Sequence, residues 1–159
     1  AVGAASHPHH FLAVTKEGSS AIASTAGNPD CHVILRGGKT PNFDAANVES
    51  ASQVLAKSGL EPRLMIDASH ANSGKNPDNQ PAVLEDIAAQ LEAGETRIIG
   101  VMVESNLIAG QQSLVPGQSL VYGQSVTDGC IGWDVSAAVL ERLAQAVRVR
   151  RATAAAKAA

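Results

Sequence analysis

The chain has 159 residues, of which 45% are hydrophobic and only four are aromatic, so we expect one domain with a mainly aliphatic core. The net charge is -3 and the basic residues are scattered, which argues against nucleic acid or an anionic membrane as a partner. No apolar stretch approaches the roughly 20 residues of a membrane span, and the two cysteines form no disulfide framework, so we expect a cytoplasmic protein without disulfides.

The first part of the sequence predicts a β-hairpin. The chain opens with Ala1 rather than Met, which favours a portion of a longer protein. Two short β-like runs follow, Phe11–Thr15 and Ser20–Thr25, and the residues between them include Gly18, which supplies turn geometry. We therefore place a hairpin at about residues 11–25.

Three apolar runs then end at residues that can do chemistry. The runs are His32–Arg36, Arg63–His70 and Arg97–Glu104, and their last residues are spaced 34 apart. This period also occurs in some helical repeats, but runs this short and rich in Val, Ile and Leu indicate buried strands. The pattern predicts βα units whose functional residues gather at the carboxyl ends of parallel strands.

Three amphipathic helices are predicted between and after these strands. Asp44–Ser58 and Pro81–Ala93 each carry an apolar stripe, and a Gly follows each helix. A third helix begins with Asp134 as its N-cap, next to Trp133 as a core anchor, and runs towards Arg151. The Ala-rich tail, residues 152–159, is expected to be disordered.

Two polar segments follow strand ends and are expected to lie over a site. Ser105–Thr127 is too long for an ordinary connection, and Asn72–Asn79 lies on the same face. Three βα units cannot close a barrel. The chain is therefore interpreted as the last third to half of a barrel, or as a small open sheet that pairs with another copy.

A divalent metal site is one interpretation of the residues at the strand ends. His70, Glu104 and Asp128 offer one imidazole and two carboxylates, a set suited to Mn, Fe, Co or Zn. Each residue also has an ordinary explanation, since His70 can be simply hydrogen-bonded, and Glu104 and Asp128 can each cap a local turn. Cys130 is close enough to Asp128 to be a ligand, although packing is the better explanation for it.

An anion site is a second interpretation. Arg36 is followed by Gly37 and Gly38, so a guanidinium and two accessible backbone N–H groups could grip a phosphate or carboxylate. The alternative is that Arg36 pairs with a neighbouring Asp and the glycines only turn the chain. Lys39 and Lys75 could add positive charge, although solvated lysines are commoner.

Four motifs in order carry a resemblance that covers about residues 10–151. The motifs are Ile34-Leu-Arg-Gly-Gly-Lys39, Met65-Ile-Asp-Ala-Ser-His-Ala-Asn-Ser73, Ile99-Gly-Val-Met-Val-Glu-Ser105 and Ser125-Val-Thr-Asp-Gly-Cys-Ile-Gly-Trp133. With these four motifs in this order, the chain resembles the C-terminal part of class I 3-deoxy-D-arabino-heptulosonate-7-phosphate (DAHP) synthase.

The resemblance implies a fold and a reaction. Members of the family are metal-dependent (β/α)8 TIM barrels that condense phosphoenolpyruvate with erythrose 4-phosphate, releasing phosphate, at the entry to aromatic amino-acid biosynthesis. Residues 1–151 would form a partial barrel, the last three βα units (residues 32–151) preceded by the family's inserted hairpin, and the full-length protein would be a homo-oligomer. By the same resemblance Arg36 would bind the phosphate of phosphoenolpyruvate, His70, Glu104 and Asp128 would bind the metal, and His70 and Asp128 would also be catalytic.

The chain also departs from the family pattern. The family's fourth metal ligand is a Cys on an early strand, and neither Cys31 nor Cys130 matches it. Ala68 stands where the family has an aromatic residue. The resemblance therefore implies that the chain alone holds metal weakly and catalyses little or nothing. The alternative function is a non-catalytic phospholigand-binding or assembly module derived from the same barrel.

Overall fold

The first elements of the computed structural model, which describes residues 1–158, are a short helix and a hairpin. Helix α1 spans Val2–Ala5 and precedes strands β1, His9–Val14, and β2, Ser20–Thr25. The two strands pair antiparallel, with Val14 opposite Ser20, and the turn includes Gly18 at a φ of +85°. The hairpin thus lies where the sequence predicts it, with its first strand beginning two residues earlier.

A parallel sheet of three strands forms the centre of the fold. Strands β3, Val33–Leu35, β4, Leu64–Asp67, and β5, Ile98–Met102, lie in the order β3-β4-β5. Each lies within one of the three apolar runs, as predicted, because Val, Ile and Leu side chains suit a buried pleated surface. All three strands point the same way, so the residues that follow them emerge at one edge of the sheet.

Three longer helices accompany the sheet. Helix α2 spans Ala45–Lys57 and begins at the N-cap Asp44, whose carboxylate accepts a hydrogen bond from the backbone N–H of Asn47. Helix α3 spans Gln80–Glu92 after a 3-10 turn at Pro77–Asn79, and helix α4 spans Trp133–Ala158. No helix within residues 1–158 is long and apolar enough to cross a membrane.

The core lies between one face of the sheet and the helices. Leu64 and Ile66 of the central strand are completely buried, as is Ile87 of α3. On the opposite face Ile34 and Ile99 are about half exposed. The sheet is therefore covered on one side only, and residues 1–158 form an open α/β sheet rather than a closed barrel.

Helix α4 differs from its prediction at both ends. Asp134 lies inside the first turn instead of capping it, and Trp133 is 63% exposed, so it is not a core anchor. The buried stripe of α4 runs through Val139, Leu143 and Ala146, and the 3.6-residue period leaves position 133 off that stripe. The tail predicted to be disordered is helical through residue 158, because alanine is the best helix former. Residue 159 lies outside the described residues.

The segment Ser105–Thr127, predicted to be a loop, contains short strands. Strands β6, Ile108–Gln111, and β7, Gln124–Ser125, pair parallel to each other. The side chain of Gln112 ties the connection between them by accepting from the N–H of Val121 and donating to its carbonyl, both at 2.8 Å. Beyond β7, Ile131 forms a parallel bridge with Ser105, alongside the end of β5.

Candidate functional site

A cavity of about 440 Å³ opens at the carboxyl edge of the three-stranded sheet. The four residues proposed from the sequence to bind substrate or metal all line it, although they are far apart in the chain. The functional roles assigned to them remain predictions. The residues that line the cavity are Arg36, Ser69, His70, Lys75, Glu104, Gln111, Asp128 and Gly129.

His70 lies just beyond β4 and is held by a buried carboxylate. Its Nδ1 is 2.7 Å from Oδ2 of Asp67, whose Oδ1 accepts a hydrogen bond from the N–H of Ser69 at 2.8 Å. A carboxylate accepts and does not donate, so the Nδ1–H donates to Asp67 and a neutral ring leaves the Nε2 lone pair free. The backbone of His70 has a φ of +48°, a value that residues other than glycine rarely adopt, and such strained residues cluster at functional sites.

Glu104 lies beyond β5 and is fixed through both its side chain and its backbone. Its Oε2 accepts a hydrogen bond from the hydroxyl of Ser69 at 2.6 Å, and its Oε1 lies 3.7 Å from Nε2 of His70. The backbone N–H and carbonyl of Glu104 both bond to the side chain of Gln80. His70 and Glu104 are therefore brought together, with one nitrogen and one oxygen close to each other.

Asp128 reaches the same cavity from the segment after β7. The neighbouring Gly129 packs on the ring of Pro77, where an added Cβ would lie only 3.1 Å from a ring carbon. Across residues 1–158, however, no three His, Cys, Asp or Glu side chains lie close enough together to hold one ion. The structure thus pairs His70 with Glu104 and leaves Asp128 on the cavity wall.

The donor set is still chemically suited to a divalent transition metal. Imidazole and carboxylate donors facing one cavity are ligands that Mn, Fe, Co and Zn accept. A metal-binding histidine usually donates its other N–H to a carboxylate, which is the arrangement that Asp67 gives His70. The types of donor atom therefore suit such an ion, and the hydrogen bond between His70 and Asp67 is the kind that orients a metal-binding histidine.

Positive charge faces these carboxylates across the cavity. Within residues 1–158 Arg36 forms no ion pair, so the alternative that it pairs with a neighbouring Asp is wrong. Lys75 is the second cation on the cavity wall and has a φ of +62°. His70 and Lys75 are the only non-glycine residues with a positive φ among those described, and both line the cavity.

The backbone of Gly37 and Gly38 does not form the predicted anion cradle. The N–H of Gly37 donates to Oδ1 of Asn42 at 2.7 Å, and the N–H of Gly38 donates to the carbonyl of Thr40 at 3.0 Å. Both donors are therefore used within the loop. Gly37 is required for another reason, because its φ is +75° and a Cβ there would lie 2.8 Å from the Cβ of Ala71.

Cys130 is a packed residue, as predicted. Its side chain is 8% exposed, and burial raises the pKa of the thiol, as do the charges of Glu104 and Asp128.

The sequence interpretation missed several residues of the site. Asp67 and Ser69 could have been found, because they directly precede His70 in the same motif. Gln80 and Gln111 had no such indication, since Gln80 contacts a residue 24 positions away. Only the packing of α3 against the end of β5 places Gln80 at the site.

Comparison with known proteins gives consistent matches along the chain. The chain is 54% identical over 151 residues to the Phe-sensitive phospho-2-dehydro-3-deoxyheptonate aldolase of Escherichia coli K12, and this match covers 95% of the chain and 43% of that protein. It is 52% identical over 152 residues to the phospho-2-dehydro-3-deoxyheptonate aldolase of Haemophilus influenzae, covering 95% of the chain and 42% of that protein. The chain therefore spans less than half the length of these relatives.

A solved structure matches the fold as well as the sequence. The phospho-2-dehydro-3-deoxyheptonate aldolase of Francisella tularensis superimposes with a TM-score of 0.87 at 47% identity, covering 94% of the chain and 43% of that protein. The sequence model of the DAHP synthetase I family matches residues 1–141. The chain therefore belongs to the DAHP synthetase I family.

Proposed function

We propose that this chain carries the metal- and phosphate-binding part of an active site that condenses phosphoenolpyruvate with erythrose 4-phosphate. The products are DAHP and phosphate, and the reaction is the first step of aromatic amino-acid biosynthesis by the shikimate pathway, in the cytoplasm. One observation carries the proposal. In a member of the DAHP synthetase I family, a single cavity contains Arg36 together with His70, Glu104 and Asp128.

In this proposal His70, Glu104 and Asp128 hold a divalent metal ion. His70 would offer Nε2, because Nδ1 is bonded to Asp67, and Glu104 would offer Oε1, because Oε2 is bonded to Ser69. A bound ion supplies Lewis acidity, which polarises the aldehyde of the sugar phosphate or activates a water molecule. Three protein ligands bind less tightly than four, so we expect the chain alone to hold the metal weakly.

Arg36 binds and orients the phosphate of phosphoenolpyruvate. Its guanidinium has no ion-pair partner within residues 1–158, so its donors are available for two phosphate oxygens. Lys75 lies on the wall of the same cavity and adds a second positive charge. Fixed cations reduce the repulsion between two anionic substrates and hold them side by side.

Asp128 moves a proton in addition to binding metal. During the condensation, the enol carbon of phosphoenolpyruvate forms a bond to the aldehyde carbon, the aldehyde oxygen takes up a proton to become a hydroxyl, and positive charge develops at the carbon that bears the phosphate. Water adds at that carbon and loses a proton to the Asp128 carboxylate. The new hydroxyl then loses its proton as the carbon–oxygen bond to phosphate breaks, which leaves the ketone of DAHP and free phosphate. Unchanged turnover of an Asp128→Asn variant at full metal occupancy would exclude this role.

A chimeric enzyme tests the proposal. The 151 residues of the E. coli relative that match this chain are replaced by the chain, and DAHP formation is measured with both substrates and Mn²⁺. We expect an active chimera, and a loss of about 100-fold or more in kcat for Glu104→Gln, because removing a metal ligand removes transition-state stabilisation.

Glu141→Gln is the matched control, because Glu141 is an exposed carboxylate on α4 whose one ion-pair partner within residues 1–158 is Arg148. This variant should retain full activity. A chimera that melts as cooperatively as the parent enzyme and binds phosphoenolpyruvate, yet forms no DAHP, would contradict the proposal. Such a result would favour the alternative, a non-catalytic phospholigand-binding module.

A further inference from the structure

The backbone of Glu104 lies beyond the end of the strand ladder. The pairing of β4 with β5 ends at Asp67 and Met102, so no residue of β4 pairs with Glu104. The carbonyl of Glu104 accepts from the N–H of Ile131 at 3.0 Å, but among residues 1–158 only the side chain of Gln80 bonds to the N–H of Glu104. The Oε1 of Gln80 accepts from the N–H of Glu104 at 2.9 Å, and its Nε2 donates to the carbonyl of Glu104 at 3.0 Å. In an antiparallel β-sheet, a residue on a neighbouring strand would make the same two bonds to Glu104 with its own backbone C=O and N–H.

Packing alone does not account for a glutamine at this position. Gln80 begins α3 and is completely buried, in the same helix as the core residues Leu84 and Ile87. Burying a carboxamide is costly unless its donor and acceptor are both satisfied, whereas a methionine would fill similar space without that cost. The polar group is useful here because of what it bonds to, which is the peptide of Glu104.

We infer that Gln80 is a positioning residue for Glu104, an inference that rests on the proposed metal-binding function. Gln80 holds the N–H of Glu104 and shares the carbonyl of Glu104 with the N–H of Ile131. With its backbone held in this way, Glu104 directs Oε2 to the hydroxyl of Ser69 at 2.6 Å and keeps Oε1 near Nε2 of His70 at 3.7 Å. Oε2 then shares its lone pairs with the Ser69 hydroxyl, whereas Oε1 accepts no hydrogen bond within residues 1–158 and is the oxygen better placed to bind a metal ion. Gln80 and Ser69 together therefore set a one-oxygen binding mode for Glu104.

The test compares three variants of the full chain. Gln80→Met has a similar length and lacks both hydrogen-bonding groups. Gln90→Met is the matched control, because Gln90 lies on the same helix and donates to the carbonyl of Phe43 at 2.8 Å, outside the cavity. Glu104→Gln removes the charge of the predicted ligand and shows whether metal binding depends on it.

The first measurement needs no metal. NMR hydrogen exchange reports the protection of the Glu104 amide, and we expect it to exchange roughly tenfold faster in Gln80→Met, because one hydrogen bond to that amide is lost. Gln90→Met should leave it unchanged. Equal exchange of the Glu104 amide in the parent chain and in Gln80→Met would refute the inference.

The second measurement is Mn²⁺ affinity by electron paramagnetic resonance. We expect Gln80→Met to bind about 10- to 100-fold more weakly, the usual effect of losing an outer support of a metal ligand, and Gln90→Met to stay within about twofold. If Glu104→Gln weakens binding but Gln80→Met does not, the inference fails and the proposed function stands. If Glu104→Gln also binds normally, both fail.

If Gln80→Met does not fold, Ser69→Ala replaces it, because this change deletes only the buried hydroxyl that donates to Oε2. A weaker Mn²⁺ affinity of about tenfold or more is expected. Unaltered affinity in a folded Ser69→Ala chain would overturn the one-oxygen arrangement.

Discussion

Asn72 links two strand ends to the loop that carries Arg36, and its removal should be costly. Its side chain is buried and makes three hydrogen bonds. The Nδ2 donates to the carbonyls of Leu35 at 3.0 Å and Asp67 at 2.7 Å, and the Oδ1 accepts from the N–H of Asn42 at 2.8 Å. Asn42 in turn accepts from the N–H of Gly37, so the links extend to the residue after Arg36.

Asn72→Ala removes all three bonds at once. At about 1 kcal/mol for each, the free energy of unfolding should fall by about 3 kcal/mol. For a chain of this length that loss corresponds to a decrease in Tm of roughly 6–12 °C. Because the loop of Arg36 loses its anchor, the phosphoenolpyruvate binding proposed for Arg36 should weaken as well.

Urea denaturation followed by circular dichroism measures the stability, and phosphorus NMR measures phosphoenolpyruvate binding. Asn72→Asp separates the effect of the hydrogen bonds from that of side-chain volume, because aspartate has nearly the same shape as asparagine. Its carboxylate would face the two carbonyl oxygens that Nδ2 now bonds to, so at neutral pH this variant should lose at least as much stability as Asn72→Ala. Asn28→Ala is the control, because Asn28 is exposed and, within residues 1–158, its side chain makes one hydrogen bond, accepted from the N–H of Asp30. A loss below about 1 kcal/mol for both Asn72 variants would refute the reasoning.

Three further predictions concern the loop, the core and an ion pair. Gly37→Ala should lower the free energy of unfolding by about 2 kcal/mol, because position 37 has a φ of +75° and the added Cβ would collide with the loop after β4. An unchanged midpoint of urea denaturation would contradict this prediction. Ile87→Ala should cost about 3 kcal/mol, because Ile87 is completely buried, and the same titration should show less than half that loss for Ile87→Val. The hydrogen bond from Arg97 holds the pKa of Glu95 below its ordinary value of 4.5, so this carboxylate stabilises the fold above pH 4.5 and the stabilisation is lost as the pH falls through the lowered pKa. Glu95→Gln should therefore be less stable than the parent at pH 7, with a smaller difference near pH 3, and an equal difference at both pH values would show that the ion pair contributes nothing.

The local elements followed from the sequence because their determinants are local. The hairpin was set by two β-like runs and a glycine turn, and α2 by its Asp44 cap and apolar stripe. The same reasoning failed for residues 105–127, where Gln112 bonds to Val121, nine positions away, and organises a segment with no strand-like composition. It also failed for the tail, where alanine propensity extends α4 to residue 158.

The sequence by itself determined which residue types follow the three strands, and four motifs in order indicated the family. Because parallel strands end at one edge, it also predicted that Arg36, His70 and Glu104 would lie near each other. Only the tertiary structure decided how they are held. Asp67 and Ser69 fix the orientations of His70 and Glu104, Gln80 reaches Glu104 across 24 residues, and the Gly37 amide is already used by Asn42. Such contacts depend on how helices pack against strand ends. A local sequence pattern does not specify which distant residue a side chain will contact or how it will be oriented.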